Sequence, residues 1–136
     1  MNAKNKSGLN VLHIAAQGDQ PISLFYFKTL HMNLNMRDNR NSTPLHWACF
    51  SNSEVALIYL LGWLRQERLS MQDVDGYTPL HLAVKASEQL KSGRPLRALL
   101  MRGADKNITD KKGDKPIDLV NNIKDQKLQN ELRTAL

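Results

Sequence analysis

Apolar residues along the chain fall into pairs of runs at helical spacing. The first run of each pair is a six-residue segment: NVLHIA from Asn10, TPLHWA from Thr43, TPLHLA from Thr78 and KPIDLV from Lys115. Their starts lie 33, 35 and 37 residues apart, and a period of that length marks a solenoid built from one supersecondary unit. The second runs, residues 22–30, 55–64, 96–101 and 123–136, are also apolar with helical periodicity. Each unit therefore predicts two antiparallel helices, with no extended sheet.

The flanks repeat with the same period. Two residues before each six-residue segment stands Gly8, Asn41, Gly76 or Gly113, the residue types that tolerate positive φ in a tight turn. Three residues earlier stand Asn5, Asp38, Asp73 and Asp110, whose side chains close such turns through local hydrogen bonds. A threonine or other polar residue then caps the inner helix. In all but the first unit a proline takes its first position, where a missing N–H costs nothing.

Departures from the period carry information. The second unit has two extra residues within 62–69, and the third has four extra within 86–95, where Ser92-Gly93-Arg94-Pro95 reads as a loop. Such insertions either modify a binding face or reflect the tolerance of loops for length change. Leu128, Leu132 and Leu136 form one stripe among polar neighbours, suited to a capping helix that closes a stack and faces water. The first unit lacks such polarity: Ile22, Leu24, Phe25, Tyr26, Phe27 and Leu30 are apolar on more than one face, as expected of a unit inside a longer array.

Taken together, these motifs resemble the ankyrin-repeat family over essentially the whole chain. The third unit is the nearest match, from Asp73-Val74-Asp75-Gly76-Tyr77-Thr78-Pro79-Leu80-His81 to Arg102-Gly103-Ala104-Asp105. The resemblance implies an all-α ankyrin-repeat solenoid of about four helix-turn-helix repeats with projecting hairpin fingers. It forms one domain over 1–136, with repeats at about 5–37, 38–72, 73–109 and 110–136. It also implies that His13, His46 and His81 bridge polar groups of their own turn and of the next repeat. Asp118 stands in this place in the last unit, which lacks a neighbour.

Composition narrows the function classes. With 41% hydrophobic and 24% charged residues the chain is that of a globular protein. Its net charge of +6 is spread along the chain, without a basic block. A nucleic-acid surface needs consistently basic fingers with interleaved aromatics, yet the third finger carries Asp73 and Asp75, so no nucleic-acid partner is expected. Cys49 is the only cysteine, which excludes an intrachain disulfide and fits a reducing compartment. The longest uncharged apolar stretch, 55–64, is half the length that spans a bilayer, and no leader pattern opens the chain. A cytoplasmic location is expected, or the cytoplasmic face of a membrane within a larger membrane protein.

Candidate chemistry is sparse. His13, His46 and His81 occupy equivalent places in successive repeats, roughly 8–10 Å apart at helix-packing distance. Zinc needs ligand atoms at about 2.0–2.1 Å, so these rings do not converge on one ion. Cys49 reads as a small buried residue, and its nearest potential base, His46, already has a structural duty. Asp38, Asp73 and Asp110 recur with the period, as turn residues do. No phosphate loop, dinucleotide turn or cysteine-pair motif is present. The sequence predicts no catalytic residue, metal or cofactor.

The predicted activity is protein or peptide binding on the concave face. Trp47, Phe50 and Tyr77 lie on the inner-helix or finger side of adjacent repeats, with Arg40 and Lys85 at the edge as steering cations. Trp47 stands where leucine is common, so it belongs either to the core or to the contact surface. Tyr59 and Trp63 share a face of the second outer helix. They form either a second exposed patch or a contact with the third unit's insertion, while Val55, Ile58, Leu61 and Leu64 can serve the core. The segment Asn41-Ser42-Thr43-Pro44-Leu45-His46-Trp47-Ala48 resembles the tryptophan-bearing repeats of ankyrin-containing DHHC-type protein S-palmitoyltransferases. In those proteins the array precedes a transmembrane catalytic part. This chain has no DHHC motif and would supply the recruiting arm.

Overall fold

The structure is a computed structural model and describes residues 14, 16, 18, 21–29, 34, 36–51 and 53–136. Its helices are α1 (Pro21–Thr29), α2 (Pro44–Phe50), α3 (Glu54–Trp63), α4 (Pro79–Leu90), α5 (Arg94–Met101), α6 (Pro116–Leu119) and α7 (Gln126–Ala135). Single 3-10 turns follow α3 at Gln66–Arg68 and α6 at Val120–Asn122. No strand occurs among the described residues. The inner helices α2, α4 and α6 pack on one another in order, and α1, α3 and α5 form a second, outer layer.

Fingers precede the inner helices, and each is closed by one carboxylate. Asp38 Oδ1 accepts from the N–H groups of Arg40 and Ser42, both at 2.9 Å. Asp73 Oδ1 does the same for Asp75 and Tyr77, and Asp110 Oδ1 for Lys112 and Asp114. The turn between these bonds needs left-handed backbone, supplied by Asn41 (φ 58°), Gly76 (φ 80°) and Gly113 (φ 86°). Successive fingers are bonded to each other: Val74 N–H donates to Arg40 O at 2.8 Å and Lys111 N–H to Asp75 O at 3.1 Å.

Threonine and proline then start each full inner helix. Thr43 and Thr78 sit in extended backbone, and their hydroxyls accept from the N–H of His46 and His81. Thr43 N–H in turn donates to His46 Nδ1 at 3.1 Å, which leaves the proton on Nε2. That nitrogen donates to Tyr77 O in the next finger at 3.0 Å. His81 repeats the arrangement, with Nε2 2.9 Å from Asp114 O. Asp118 replaces the imidazole in the last unit. Its Oδ2 accepts from Lys115 N–H at 2.8 Å and completes the local cap. His13 lies outside the described residues.

Between the layers lies a leucine core. Leu45, Leu57, Leu60, Leu80, Leu96, Leu99 and Leu132 are fully buried. Burying each such side chain contributes roughly 1.5–3 kcal/mol, so the core outweighs any single surface contact. Leu128 and Leu132 turn inward from α7 while Lys127, Asn130, Glu131 and Arg133 face water. An Arg97–Glu131 ion pair ties α7 to α5. At the other end Ile14, Ile22, Phe25 and Tyr26 are exposed.

Four expectations need correction. Val55 and Ile58 do not serve the core. They are 43% and 58% exposed; Leu61 is buried and Leu64 packs on the core as expected, and Ala56, Leu57 and Leu60 take the buried places beside them. The whole run is apolar, so its periodicity has no preferred side, and contacts with α2 and the neighbouring outer helices choose the buried stripe. Of the segment expected as a loop only Ser92 and Gly93 are non-helical, and the four extra residues of the third unit lie mainly in the helix before it. They lengthen α4 to 12 residues, because Glu88, Gln89 and Leu90 are good helix formers. The helix ends only where Lys91 turns left-handed (φ 50°), and Arg94 and Pro95 already belong to α5. The last outer helix starts at Gln126, not at 123, because the Asp125 side chain caps it by accepting from Lys127 and Leu128. Trp63 meets the first unit: Lys28 Nζ lies 5.4 Å from its ring centroid.

Candidate protein-binding site

Finger and inner helix meet at an angle, and the space between them in the second and third units forms a groove of about 230 Å³. Trp47 and Phe50 reach it from α2, three residues apart on one helical face. Their rings stand edge to face at 6.3 Å between centroids. Tyr77 enters from the third finger, and Leu82 and Lys85 from α4. All five residues singled out in the sequence, Arg40, Trp47, Phe50, Tyr77 and Lys85, line this one groove.

Their states differ. Phe50 is 55% exposed, whereas Trp47 and Tyr77 are half-buried. Trp47 belongs to the core and also borders the groove. Its ring packs on the core, and its Nε1–H donates to Asp38 Oδ2 at 2.8 Å. The indole N–H is thereby committed, and Trp47 offers the groove ring surface only. Tyr77 packs against His81 at 5.8 Å and carries the Lys85 ammonium over its face at 4.3 Å. Arg40 is not a free steering cation, because its Nη2 lies 2.7 Å from Asp75 Oδ2. That partner was visible in the sequence only as an acidic finger residue. Leu82, the apolar floor, and Ser42, at the wall, carried no sequence signal beyond their place in the repeat.

A second groove of about 310 Å³ continues beside the first, between the third and fourth units. Tyr77 and Lys85 belong to both. The remaining walls of the second groove are more polar and include Glu88, Asp110, Lys112 and Asp114.

The groups with chemical potential are otherwise engaged. Burial lowers the pKa of His46, and both its nitrogens hold bonds. Burial pushes the Cys49 thiol far up, so the nucleophilic thiolate is not formed at neutral pH. Among the described residues no three His, Cys, Asp or Glu side chains converge as a metal site. Among them, too, no helix is long and apolar enough to cross a membrane. On the outer layer the Tyr59 and Trp63 rings meet at a tilt of 45° with centroids 5.4 Å apart, and Tyr59 is 41% exposed beside Val55 and Ile58.

Comparison with known proteins agrees with this architecture. Residues 12–110 match the family described as ankyrin repeats in three copies. The palmitoyltransferase akr1 of Schizosaccharomyces pombe is 35% identical over 51 residues, 38% of this chain and 8% of its own length. A Danio rerio protein carrying the palmitoyltransferase name ZDHHC13 is 31% identical over 117 residues, 85% of this chain and 17% of its own. The human SMC5-SMC6 complex localization factor protein 1 is 32% identical over 119 residues, again 85% of this chain, and 11% of its own. The chain thus spans less than a fifth of the length of these relatives. Ankyrin repeats generally mediate protein–protein interaction and are typically non-catalytic. Carboxylate-closed fingers, threonine-capped inner helices and imidazole bridges between units are the structural counterpart of that match: the chain belongs to the ankyrin-repeat family.

Proposed function

We propose that this chain recruits a protein partner by gripping an extended segment in the groove of the second and third repeats. Trp47, Phe50 and Tyr77 make the contact, and Arg40 and Lys85 stand at the rim. The supporting observation is that three rings from two repeats open onto one recess with an apolar floor at Leu82. Aromatic rings offer contact area with little rotamer entropy to lose, which suits them as anchors. The four repeats, 5–37, 38–72, 73–109 and 110–136, act in this reading as one cytoplasmic recruiting domain without catalysis of its own. Nucleic acid is disfavoured as the partner, since Asp73 and Asp75 line the same groove. The test is selection from a displayed library of short peptides. Wild type enriches a motif, and Phe50→Ala and Tyr77→Ala variants with unchanged melting curves each bind it more weakly by about 1–3 kcal/mol. Equal binding by both variants moves the site elsewhere, first to the Tyr59–Trp63 surface.

A second reading concerns the parent protein. Similarity to two relatives named as palmitoyltransferases favours a substrate-recruiting region of a membrane-bound DHHC-type enzyme. The parent reading frame decides it: hydrophobic spans flanking a cysteine-rich DHHC segment support this reading, and their absence removes it.

A further inference from the structure

The charged side chains around the two grooves are unequally committed. Arg40 and Asp75 pair with each other. Asp73 accepts from two backbone N–H groups of its finger, and Asp110 does the same in the next. Glu88 accepts from Lys124 N–H at 3.0 Å. Lys85 differs from all of these. It is exposed, and among the described residues no carboxylate lies within ion-pair distance of its ammonium, which rests instead over the Tyr77 ring. It also stands where the apolar groove passes into the polar one. Lys112 on the far wall adds a second cation, and Asp114 adds a carboxylate that has no ion-pair partner among the described residues.

A cation resting on a half-buried aromatic face is held only weakly. A partly desolvated carboxylate at hydrogen-bond distance is worth more, so the ammonium can leave the ring for it without breaking any ion pair. Its departure would also bare the Tyr77 face for an apolar side chain. We propose that Lys85 is the specificity-determining residue of the groove. It selects an extended partner segment in which an aspartate or glutamate stands at a fixed offset from the apolar residue held by Trp47, Phe50 and Tyr77. Arg40, neutralised by Asp75, takes no part in this selection. The inference rests on the groove being the binding site.

The experiment uses random short peptides fused through their C-termini, so that no free terminal carboxylate is offered. Wild type enriches an acidic residue at one offset from an apolar one. Lys85→Glu exchanges that acidic preference for lysine or arginine and keeps the apolar position. For one enriched peptide, Lys85→Gln weakens binding about five- to tenfold, while the joint Arg40→Gln/Asp75→Asn change alters it less than about twofold. A motif with no acidic position on wild type, or one that persists on Lys85→Glu, overturns the proposal while the groove reading stands. So does a peptide that binds only when phosphorylated. Enrichment insensitive to Phe50→Ala and Tyr77→Ala, or none at all, overturns the groove reading itself and this proposal with it.

Discussion

The indole N–H of Trp47 and the carboxylate of Asp38 meet at 2.8 Å, and the same carboxylate closes the second finger through its other oxygen. One buried acid thus fixes both the finger and the ring that faces the groove. Trp47→Phe removes the donor and leaves Oδ2 unsatisfied, at a cost of about 1.5–3 kcal/mol for a bond to a charged group. Asp38→Asn retains an acceptor for the turn but turns an amide toward the indole. Urea unfolding of both single variants and the double variant gives the coupling. It is expected to exceed about 0.5 kcal/mol, and strict additivity would show that the bond contributes nothing.

Gly76 and Gly113 occupy the same finger position with the same positive φ, yet they differ in what lies above them. A Cβ on Gly76 would come within 2.7 Å of Lys111 N, whereas one on Gly113 meets nothing within 4 Å. Gly113→Ala carries only the left-handed penalty, roughly 1–2 kcal/mol. Gly76→Ala adds a backbone clash with the next finger and is expected to be the more destabilising by at least about 1 kcal/mol. Thermal melts of the two variants compare them directly, and equal losses would mean that the fingers move apart freely.

His46 links stability to pH. Burial lowers its pKa in the folded chain below the ordinary value of 6.5. As pH falls below that value the unfolded chain takes up a proton that the folded chain refuses. The stabilising effect of neutral His46 is therefore complete above pH 6.5 and is lost as pH falls toward the lowered value. The slope approaches about 1.4 kcal/mol per pH unit for one proton. Unfolding free energies between pH 7.5 and 5.5 should decline, and His46→Gln, weaker at neutral pH, should show the shallower decline by up to one proton. An unchanged slope in that variant would assign the proton elsewhere.

Cys49 is fully buried and its thiol is pushed up by desolvation. In the native protein its reaction with an aromatic disulfide reagent should be slower than in urea by on the order of 100-fold or more, because attack waits for opening of the repeat. Rapid labelling without unfolding would show that the second repeat opens locally.

Gly62 lies in α3 with open space where a Cβ would project. Gly62→Ala should stabilise the protein by about 0.5–1 kcal/mol through helix propensity and a less flexible unfolded chain. A lower melting temperature would indicate that the glycine serves a contact on the outer layer.

Much of this molecule is readable from sequence because its determinants are local. The aspartate, the positive-φ residue, threonine, proline and histidine stand at constant offsets, and apart from the imidazole bridges to the next finger their hydrogen bonds close within about one turn of chain. Those spacings alone yield the fingers, the caps and the helix pairs. The pairing of Arg40 with Asp75, the seat of Lys85 on Tyr77 and the contact of Lys28 with Trp63 join residues from different turns or units, and no local pattern encodes them. Nor does the run in α3 choose its own buried face. Ala56, Leu57 and Leu60 are no more apolar than Val55 and Ile58, so the choice falls to the helices that flank it. Sequence therefore determined what each repeat is. Tertiary stacking decided which charges cancel, which rings face the groove and which apolar side chains remain in water, because each of those outcomes depends on what the neighbouring repeat brings within a few ångströms.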